Sequence, residues 1–478
     1  MSNLDNKPYY NLELLEVADL LRRRDISSVD LTHSMFERID EFDDRLHSYV
    51  CLMQESALSE AAKADAELDQ GLWRGPLHGV PLAVKDMLWT KEAPTTAGMA
   101  IHLDTRTEQD ATAVARLREA GATVLGKVVL TEGVYAEHTP PFKAPINPWH
   151  ADYWSGASSS GSGVAVAAGL CFGALGSETG GSIRLPSAAN GVTGLKPTWG
   201  RVSRYGAFEL AASMDHVGVL ARSVADAGAI LKEIAGPDNR DPTASHLPVP
   251  DYVSALGQDV EGLRIGLDWR WISGLADAIT QQALLSAMDV LSAQGAKIVE
   301  ITVPDVRAMI DDWVEVCAVQ TALAHRDTFA SRRNEYGPAL RQLIEMGQNL
   351  SGTAYQELLL RKAAFSGKFE ALFQNVDALA MPVIPFSVPK LERMANIDLE
   401  LIAALHTFTC PFNMTGSPSL TMPCGLGENE TPLVFQLVGA QFDESRLLNL
   451  GHAYQKNTHW HRRRPKLGSS HTTLFQAS

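Results

Sequence analysis

Apolar and polar positions along the N-terminal part of the chain repeat with a helical period. One apolar face is formed by Leu14, Val17, Ala18 and Leu21. Ser28 is expected to be the N-cap of a second helix, and the alanine-rich stretch 57–68 indicates a third. Residues 1–70 are therefore predicted to be a helical segment that packs on a larger domain.

Further along, short apolar runs alternate with helical stretches. The runs predicted to be strands include 80–84, 123–129, 170–175 and 263–268, and 376–388 is predicted to be a strand that opens into a proline loop. The runs 411–423 and 433–438 are expected to bring the chain back to the core. The helices expected between the first strands cover 111–120 and 163–168. This alternation predicts an α/β fold with a mixed, mostly parallel sheet sandwiched between helices.

The domain organisation is predicted from the positions of the candidate catalytic residues along the chain. A chain of 478 residues would on length alone suggest about three domains. The candidate catalytic residues, however, run from Lys85 to Ser182, and related motifs continue toward the C-terminus. We therefore predict one catalytic unit over 71–478, in which the stretch 318–372 forms a helical cover.

Composition and charge exclude several classes of function. A net charge of −15 argues against nucleic acid as a partner. No run of about 18 apolar residues indicates a membrane span, and no apolar signal-peptide region is evident near the N-terminus. The short basic run 461–464 is expected to be a solvated tail.

The five cysteines are scattered and show no metal-ligand spacing, so reduced thiols in a cytoplasmic protein are expected, with no metal and no cofactor. A homodimer is the expectation for the oligomeric state, because most soluble oligomers are symmetric homo-oligomers.

The segment 156–186 carries the most specific chemical signal. It reads GASSSGSGVAVAAGLCFGALGSETGGSIRLP and places Ser158 and Ser182 in two glycine-rich loops, 24 positions apart. Upstream, Lys85 ends the apolar stretch GVPLAVK. Two serines and one lysine can supply a nucleophile, a proton relay and a base, which points to acyl transfer.

These motifs resemble the amidase signature enzymes, a family of serine hydrolases with a Ser–cis-Ser–Lys triad. The resemblance covers about residues 10–460 and rests on four runs, 156–161, 178–186, 194–206 and 215–224. It implies a mixed sheet between helices and hydrolysis of a carboxamide without a cofactor. It also implies that the helical cover 318–372 shapes the substrate pocket. The chain departs from the family pattern where Ala157 and Ser160 replace glycines and Glu178 replaces aspartate.

The resemblance also implies a role for each matching residue. Ser182 is the expected nucleophile, Ser158 the relay preceded by a cis peptide bond, and Lys85 the base. A lysine accepts a proton only when it is neutral, and burial among apolar neighbours lowers a lysine pKa. The backbone N–H groups of Thr179, Gly180, Gly181 and Ser182 match the family's oxyanion hole.

Other residues near the motifs are candidates for support or substrate contact. Glu178 and Arg184 flank the nucleophile with opposite charges and are expected to hold the turn. Ser159 is a second hydroxyl beside the relay. The candidates for lining the pocket are Met87, Tyr135, His138 and Trp154, and the partner they would bind is a small, partly hydrophobic or aromatic amide.

Several alternatives stay open at this point. The same triad could hydrolyse a carbamate, an ester or a cyclic amide. The transamidating subunit for Gln-tRNA formation shares the signature, although its usual Tyr-Asp-Gly-Val-Arg/Lys-Tyr-Gly run has no counterpart in 332–347. A Ser–His–Asp triad of Ser182, His216 and Asp215 is conceivable, but adjacent residues orient each other poorly. A catalytically inactive binding protein is the remaining class.

Overall fold

An eleven-stranded sheet runs through the computed structural model, which describes residues 8–468. The strands are β1 Tyr49–Leu52, β2 Pro81–Lys85, β3 Thr123–Val128, β4 Gly173–Glu178, β5 Thr193–Lys196, β6 His216–Ala221, β7 Arg264–Leu267, β8 Lys297–Glu300, β9 Ala378–Pro382, β10 Ser419–Leu426 and β11 Pro432–Val438. They lie in the order β1-β3-β2-β4-β6-β5-β10-β11-β9-β7-β8.

Strand pairing differs between the centre and the flanks of the sheet. Four neighbouring pairs are parallel, within β3–β2–β4 and within β9–β7–β8. The other six are antiparallel, at the β1 edge and through the centre from β4 to β9. The predicted mixed sheet in a single α/β domain is confirmed, while parallel pairing is confined to the flanks, where helices connect successive strands.

Helices lie before the first strand, after the last one and in most of the connections between strands of the described chain, residues 8–468. They are α1 Leu14–Arg22, α2 Ser28–Leu46, α3 Gln54–Asp69, α4 Thr112–Glu119, α5 Ser160–Ala168, α6 Arg184–Asn190, α7 Val224–Ile234, α8 Trp269–Ser273, α9 Ala278–Ser292, α10 Arg307–Ala324, α11 Arg326–Arg332, α12 Pro338–Asn349, α13 Gly352–Glu370, α14 Leu391–Ala395, α15 Leu399–His406, α16 Cys410–Met414 and α17 Glu444–Lys456. Across these residues, none of the helices has both the length and the apolar character needed to cross a bilayer.

Three local predictions need correction. The first 70 residues are not all helical, because β1 pairs with β3 at the sheet edge. Ser27, and not Ser28, caps α2: its hydroxyl accepts a hydrogen bond from the Asp30 N–H at 3.0 Å. The strand predicted at 170–175 begins at Gly173, because the backbone N–H of Leu170 still donates to the last turn of α5.

The basic run 461–464 is not a solvated tail. The side chain of His461 is buried, and Arg462 Nε donates a hydrogen bond to Glu13 Oε1 at 2.9 Å. Because Glu13 is the N-cap residue of α1, the basic run has an acidic partner that lies more than four hundred residues away in sequence. The basic run 461–464 is therefore held in place by a long-range contact that the local sequence does not predict.

Candidate active site

The sheet brings the candidate base and the nucleophile loop to the same edge. β2 and β4 are parallel neighbours, with Ala83 opposite Ala174 and Val84 opposite Leu175. The carboxyl ends of parallel strands meet at one edge, so Lys85, the last residue of β2, lies beside the turn that follows Glu178. The buried helix α5 begins at Ser160, immediately after the serine loop, and carries that loop toward the same place.

Lys85 is completely buried among hydroxyl groups. Its Nζ is hydrogen-bonded to Ser158 Oγ at 2.7 Å, to Ser159 Oγ at 2.9 Å and to Ser177 Oγ at 2.9 Å. Burial lowers the pKa of Lys85 well below its ordinary value, and the more distant charges of Asp215 and Glu178 only partly oppose this effect. Burial therefore favours a neutral amine, which can donate two of these hydrogen bonds and accept the third from a serine hydroxyl.

The acidic neighbour of Lys85 in sequence has a different partner. Asp86 lies 2.9 Å from Lys127 Nζ, and both side chains are fully buried. Adjacent strand residues point to opposite faces, so Asp86 does not neutralise the candidate base.

The two serines of the segment 156–186 occupy different environments. Ser158 is buried, and the Ala157–Ser158 peptide bond is cis, as the resemblance implied even with alanine at position 157. Ser182 is half-buried, and within residues 8–468 its hydroxyl has no hydrogen bond to another group. Ser159 links the two loops, since its backbone N–H donates to the Ser182 carbonyl at 3.2 Å.

The turn 179–182 presents its carbonyls to the protein. Each carbonyl accepts one hydrogen bond: Thr179 from Trp313 Nε1 (2.8 Å), Gly180 from Thr409 Oγ1 (2.6 Å), Gly181 from Leu185 N (2.7 Å) and Ser182 from Ser159 N (3.2 Å). Among the described residues, none accepts a hydrogen bond from the four N–H groups of the same turn. Successive unpaired N–H groups form a concavity that suits an anionic oxygen.

Two glycines are required for this arrangement. A Cβ on Gly180 would lie 2.1 Å from Cζ2 of the Trp313 ring, which is closer than any side chain can approach. Gly181 has a φ of 148°, in the region that favours glycine. The Gly-Gly pair therefore lets the ring pack on the turn and lets the backbone reverse before Ser182.

The ion pair of Glu178 and Arg184 holds the base of the turn. The Glu178 carboxylate accepts the backbone N–H groups of Ile183 (3.0 Å) and Arg184 (3.1 Å), and Arg184 Nε donates to it at 2.8 Å. Arg184 also donates to Gln436 Oε1 at 3.0 Å and to Asn413 Oδ1 at 2.7 Å. Both charges are fully buried and multiply bonded, so removing either would leave the other unpaired.

We expect Arg184→Met to destabilise the fold by about 3–5 kcal/mol, because the Glu178 carboxylate then stays buried without its partner. Chemical denaturation monitored by circular dichroism measures the change. The matched control is Arg307→Met, since Arg307 is 88% exposed and its ion pair with Asp305 is expected to contribute little. Equal stability of Arg184→Met and the wild type would contradict this supporting role.

The four predicted pocket residues lie in different surroundings. His138 Nε2 is 2.9 Å from Ser160 Oγ, and burial lowers the pKa of His138 to about 4. Burial raises the pKa of Tyr135 to about 12. Met87 is buried beside Ala207, Phe208 and Val217, and Trp154 packs against the apolar cluster that includes Leu185.

Three supporting residues were not found by sequence reasoning. Ser177 contacts Lys85 from within β4, and its position just before the Glu-Thr-Gly-Gly-Ser run is a signal that could have identified it. Trp313 lies outside the predicted cover 318–372, because the first helix of the cover in the structure begins earlier, at Arg307. Thr409 follows α15, and nothing local in the sequence connects it with Gly180.

The alternative Ser–His–Asp arrangement finds no geometric support. Asp215 accepts from Thr179 Oγ1 at 2.6 Å and from the backbone N–H groups of Leu210 and Ala211. His216 Nδ1 lies 2.6 Å from the Met214 carbonyl, and burial lowers the His216 pKa well below its ordinary value. Both side chains are engaged with the backbone near the turn.

In residues 8–468 no group of three or more His, Cys, Asp or Glu side chains could hold a metal ion.

Comparison with known sequences gives long matches. The Amidase family model matches residues 30–448. AmiD of Mycobacterium tuberculosis, named as a candidate amidase, is 46% identical over 464 residues, which cover 97% of each chain. A glutamyl-tRNA(Gln) amidotransferase subunit from Moorella thermoacetica is 36% identical over 484 residues, covering 96% of this chain and 99% of that protein.

Comparison with solved structures gives the same fold. The peptide amidase from Stenotrophomonas maltophilia superimposes with a TM-score of 0.81 at 30% sequence identity, covering 96% of this chain and 99% of that one.

Proposed function

This chain belongs to the Amidase family, and from that membership we propose that it hydrolyses the C–N bond of a small carboxamide through an acyl-enzyme on Ser182. The observation that carries the proposal is the contact of 2.7 Å between the fully buried Lys85 Nζ and Ser158 Oγ, beside a turn of unpaired N–H groups. A buried lysine that favours its neutral form is suited to act as a general base.

Acylation would begin with proton transfer. The Ser182 hydroxyl gives its proton to Ser158 Oγ while Ser158 gives its own to Lys85 Nζ, and Ser182 Oγ attacks the amide carbon. The oxygen of the tetrahedral intermediate gains a negative charge and receives hydrogen bonds from the N–H groups of 179–182. When the C–N bond breaks, the proton returns from Lys85 through Ser158 to the leaving nitrogen.

Deacylation would use the same groups in the reverse sense. A water molecule replaces the departed amine and loses a proton toward Ser158 and Lys85 as it attacks the ester carbon of the acyl-enzyme. Collapse of the second intermediate breaks the bond to Ser182 Oγ, which recovers a proton, and the carboxylic acid is released. The net reaction is amide plus water giving acid plus amine, and no cofactor enters the balance.

The proposal includes the nature of the substrate and of the surroundings. His138 supplies a neutral imidazole beside Ser160, and Tyr135 packs against an apolar cluster that includes Phe329 and Tyr336. These surroundings suit a small, partly hydrophobic or aromatic acyl group. We propose a small-molecule amide as the partner, with no nucleic acid or membrane, and action in the cytoplasm as a homodimer.

A second candidate is the amidotransferase subunit for Gln-tRNA formation. The 36% identity to that subunit in Moorella thermoacetica favours it, although the chain lacks that subfamily's usual run in the helical cover. Such a subunit works within a complex, so stable co-purification with partner subunits would favour this candidate. Carbamates, esters and cyclic amides form a third group of substrates, because the proposed acyl chemistry applies to all of them.

A substrate panel tests the proposed function. Purified wild type is incubated with carboxamides, anilides, carbamates, esters and cyclic amides, and release of ammonia, amine or alcohol is measured. We expect release from the linear amides, and a fluorophosphonate probe should label Ser182. Activity on carbamates or esters alone would replace the amidase proposal. Labelling without turnover of any panel member would favour the amidotransferase candidate.

A further inference from the structure

We infer that Thr409 and Trp313 are positioning residues that aim the oxyanion-binding N–H groups of the nucleophile turn. This inference rests on the proposed function, because it assigns a task to groups that act through that turn. Neither side chain belongs to the serine and lysine motifs. Both contact the turn from the far side, through the carbonyls of Thr179 and Gly180.

Peptide geometry connects a fixed carbonyl with an aimed N–H. In a trans peptide unit the C=O of one residue and the N–H of the next lie in one plane and point in opposite directions. The bond from Trp313 Nε1 to the Thr179 carbonyl therefore sets the direction of the Gly180 N–H. In the same way, the bond from Thr409 Oγ1 to the Gly180 carbonyl sets the direction of the Gly181 N–H.

Thr409 is held at both ends. Its side chain is completely buried, and its own backbone carbonyl accepts a hydrogen bond of 2.7 Å from Arg184 Nη2. The hydroxyl bond to the Gly180 carbonyl is short, at 2.6 Å. Arg184, which also binds Glu178 at the base of the turn, therefore fixes Thr409 relative to the peptide unit that Thr409 holds.

Trp313 holds the neighbouring peptide unit from the helical cover. It lies on α10, is 6% exposed and stacks on His406 with ring centroids 4.7 Å apart. Its indole N–H donates to the Thr179 carbonyl, and its ring occupies the space that a Cβ at Gly180 would need. The glycine at position 180 thus serves the contact with Trp313.

Without these two donors the turn would lose its direction. Glycine-rich backbone rotates easily, and rotation of a peptide unit would move an N–H away from the developing oxyanion. Loss of one oxyanion donor in other serine hydrolases costs about 10²–10³ in kcat. A misdirected donor should likewise lower kcat and leave KM nearly unchanged, because the oxyanion forms in the transition state and not in the bound substrate.

Thr409→Val tests this role because valine keeps the shape of threonine and removes the hydroxyl. We expect kcat on the best panel substrate to fall about 100-fold, with KM within about threefold of the wild type. The inhibition constant of a boronic acid, which forms a tetrahedral adduct with a serine, should rise by the same factor. Thr409→Ser, which keeps the hydroxyl, should have a kcat within about tenfold of the wild-type value.

Thr407→Val is the matched control, since Thr407 is also buried and its hydroxyl has no hydrogen bond among the described residues. It should leave kcat and boronic acid inhibition unchanged. Trp313→Phe is the second variant: it keeps an aromatic ring without the N–H and should lower kcat with little change in KM. Melting temperatures establish that each variant is folded.

The positioning role would be overturned by a Thr409→Val enzyme with wild-type kcat, or by one whose loss lies entirely in KM. A loss that Thr409→Ser does not relieve would also overturn it. If Thr409→Val fails to fold, Trp313→Phe decides, and its wild-type kcat would reject the role. Wild-type turnover that depends on Ser182 decides the proposed function separately, because the positioning role is read only from the ratio of variant to wild type.

Discussion

Ser182→Ala is expected to abolish amide turnover, with a fall in kcat of at least about 10⁴-fold. Without the hydroxyl no acyl-enzyme can form, and what remains is the assistance that the oxyanion donors give to direct attack by water. The fold should be unaffected, since the Ser182 hydroxyl has no hydrogen bond to another described group and only its carbonyl is engaged, by Ser159. Product release from the best panel substrate measures the effect, and the fluorophosphonate probe should no longer label the protein.

Ser162→Ala is the control for this experiment. Ser162 is likewise a serine of the segment 156–186, but its buried hydroxyl donates to the Leu175 carbonyl at 3.0 Å and lies outside the proposed reaction path. Its activity and labelling should match the wild type. Turnover by Ser182→Ala at more than about one tenth of the wild-type rate would rule out Ser182 as nucleophile.

Lys85→Met is expected to lower kcat by at least about 10³-fold, because it removes the base that takes the proton from Ser158. Lys85→Arg should be as inactive, since a guanidinium stays charged and cannot accept that proton. Both variants should keep Ser182 in place. Wild-type activity in Lys85→Arg would show that the position supplies a charge and not a base.

The pH dependence gives the same residue an independent test. Burial lowers the Lys85 pKa, so the neutral amine forms below the value of about 10.4 that an exposed lysine has. Wild-type kcat/KM should rise with pH through this lowered pKa. The free energy of unfolding should also rise from the lowered pKa up to about 10.4, because in that window only the unfolded chain binds the proton. Lys85→Met should lack both increases, and an unchanged pH profile in that variant would contradict the assignment.

Local patterns were sufficient to predict most elements of the fold. The apolar face of α1 and the short apolar runs at β2 and β3 have the expected periods, and the structure has these elements there. The pairing of strands was less accessible, because the central strands are joined in antiparallel order by connections that carry no periodic signal. The edge strand β1 was missed since three of its four residues are only partly buried, the fourth, Leu52, is exposed, and the strand follows a long helix.

The site likewise contains residues that local motifs predict and residues that only long-range packing brings in. Sequence motifs predicted Lys85, Ser158 and the turn 179–182 as site residues, and the structure brings them to one edge of the sheet. The residues that hold this turn from behind are far away in sequence and have no motif. Trp313 and Thr409 reach the turn only through the tertiary packing of the second half of the chain, which local sequence does not predict.

The bonds that hold the nucleophile turn have a consequence for biosynthesis. Thr409 lies 229 residues after Gly180, and Gln436 lies 252 residues after Arg184. A ribosome makes about 5–20 residues per second, so the serines and the lysine exist for many seconds before their last supports are translated. We therefore expect the nascent N-terminal half to carry the proposed catalytic residues without a directed turn, and hydrolytic competence to arise only as β11 joins the sheet.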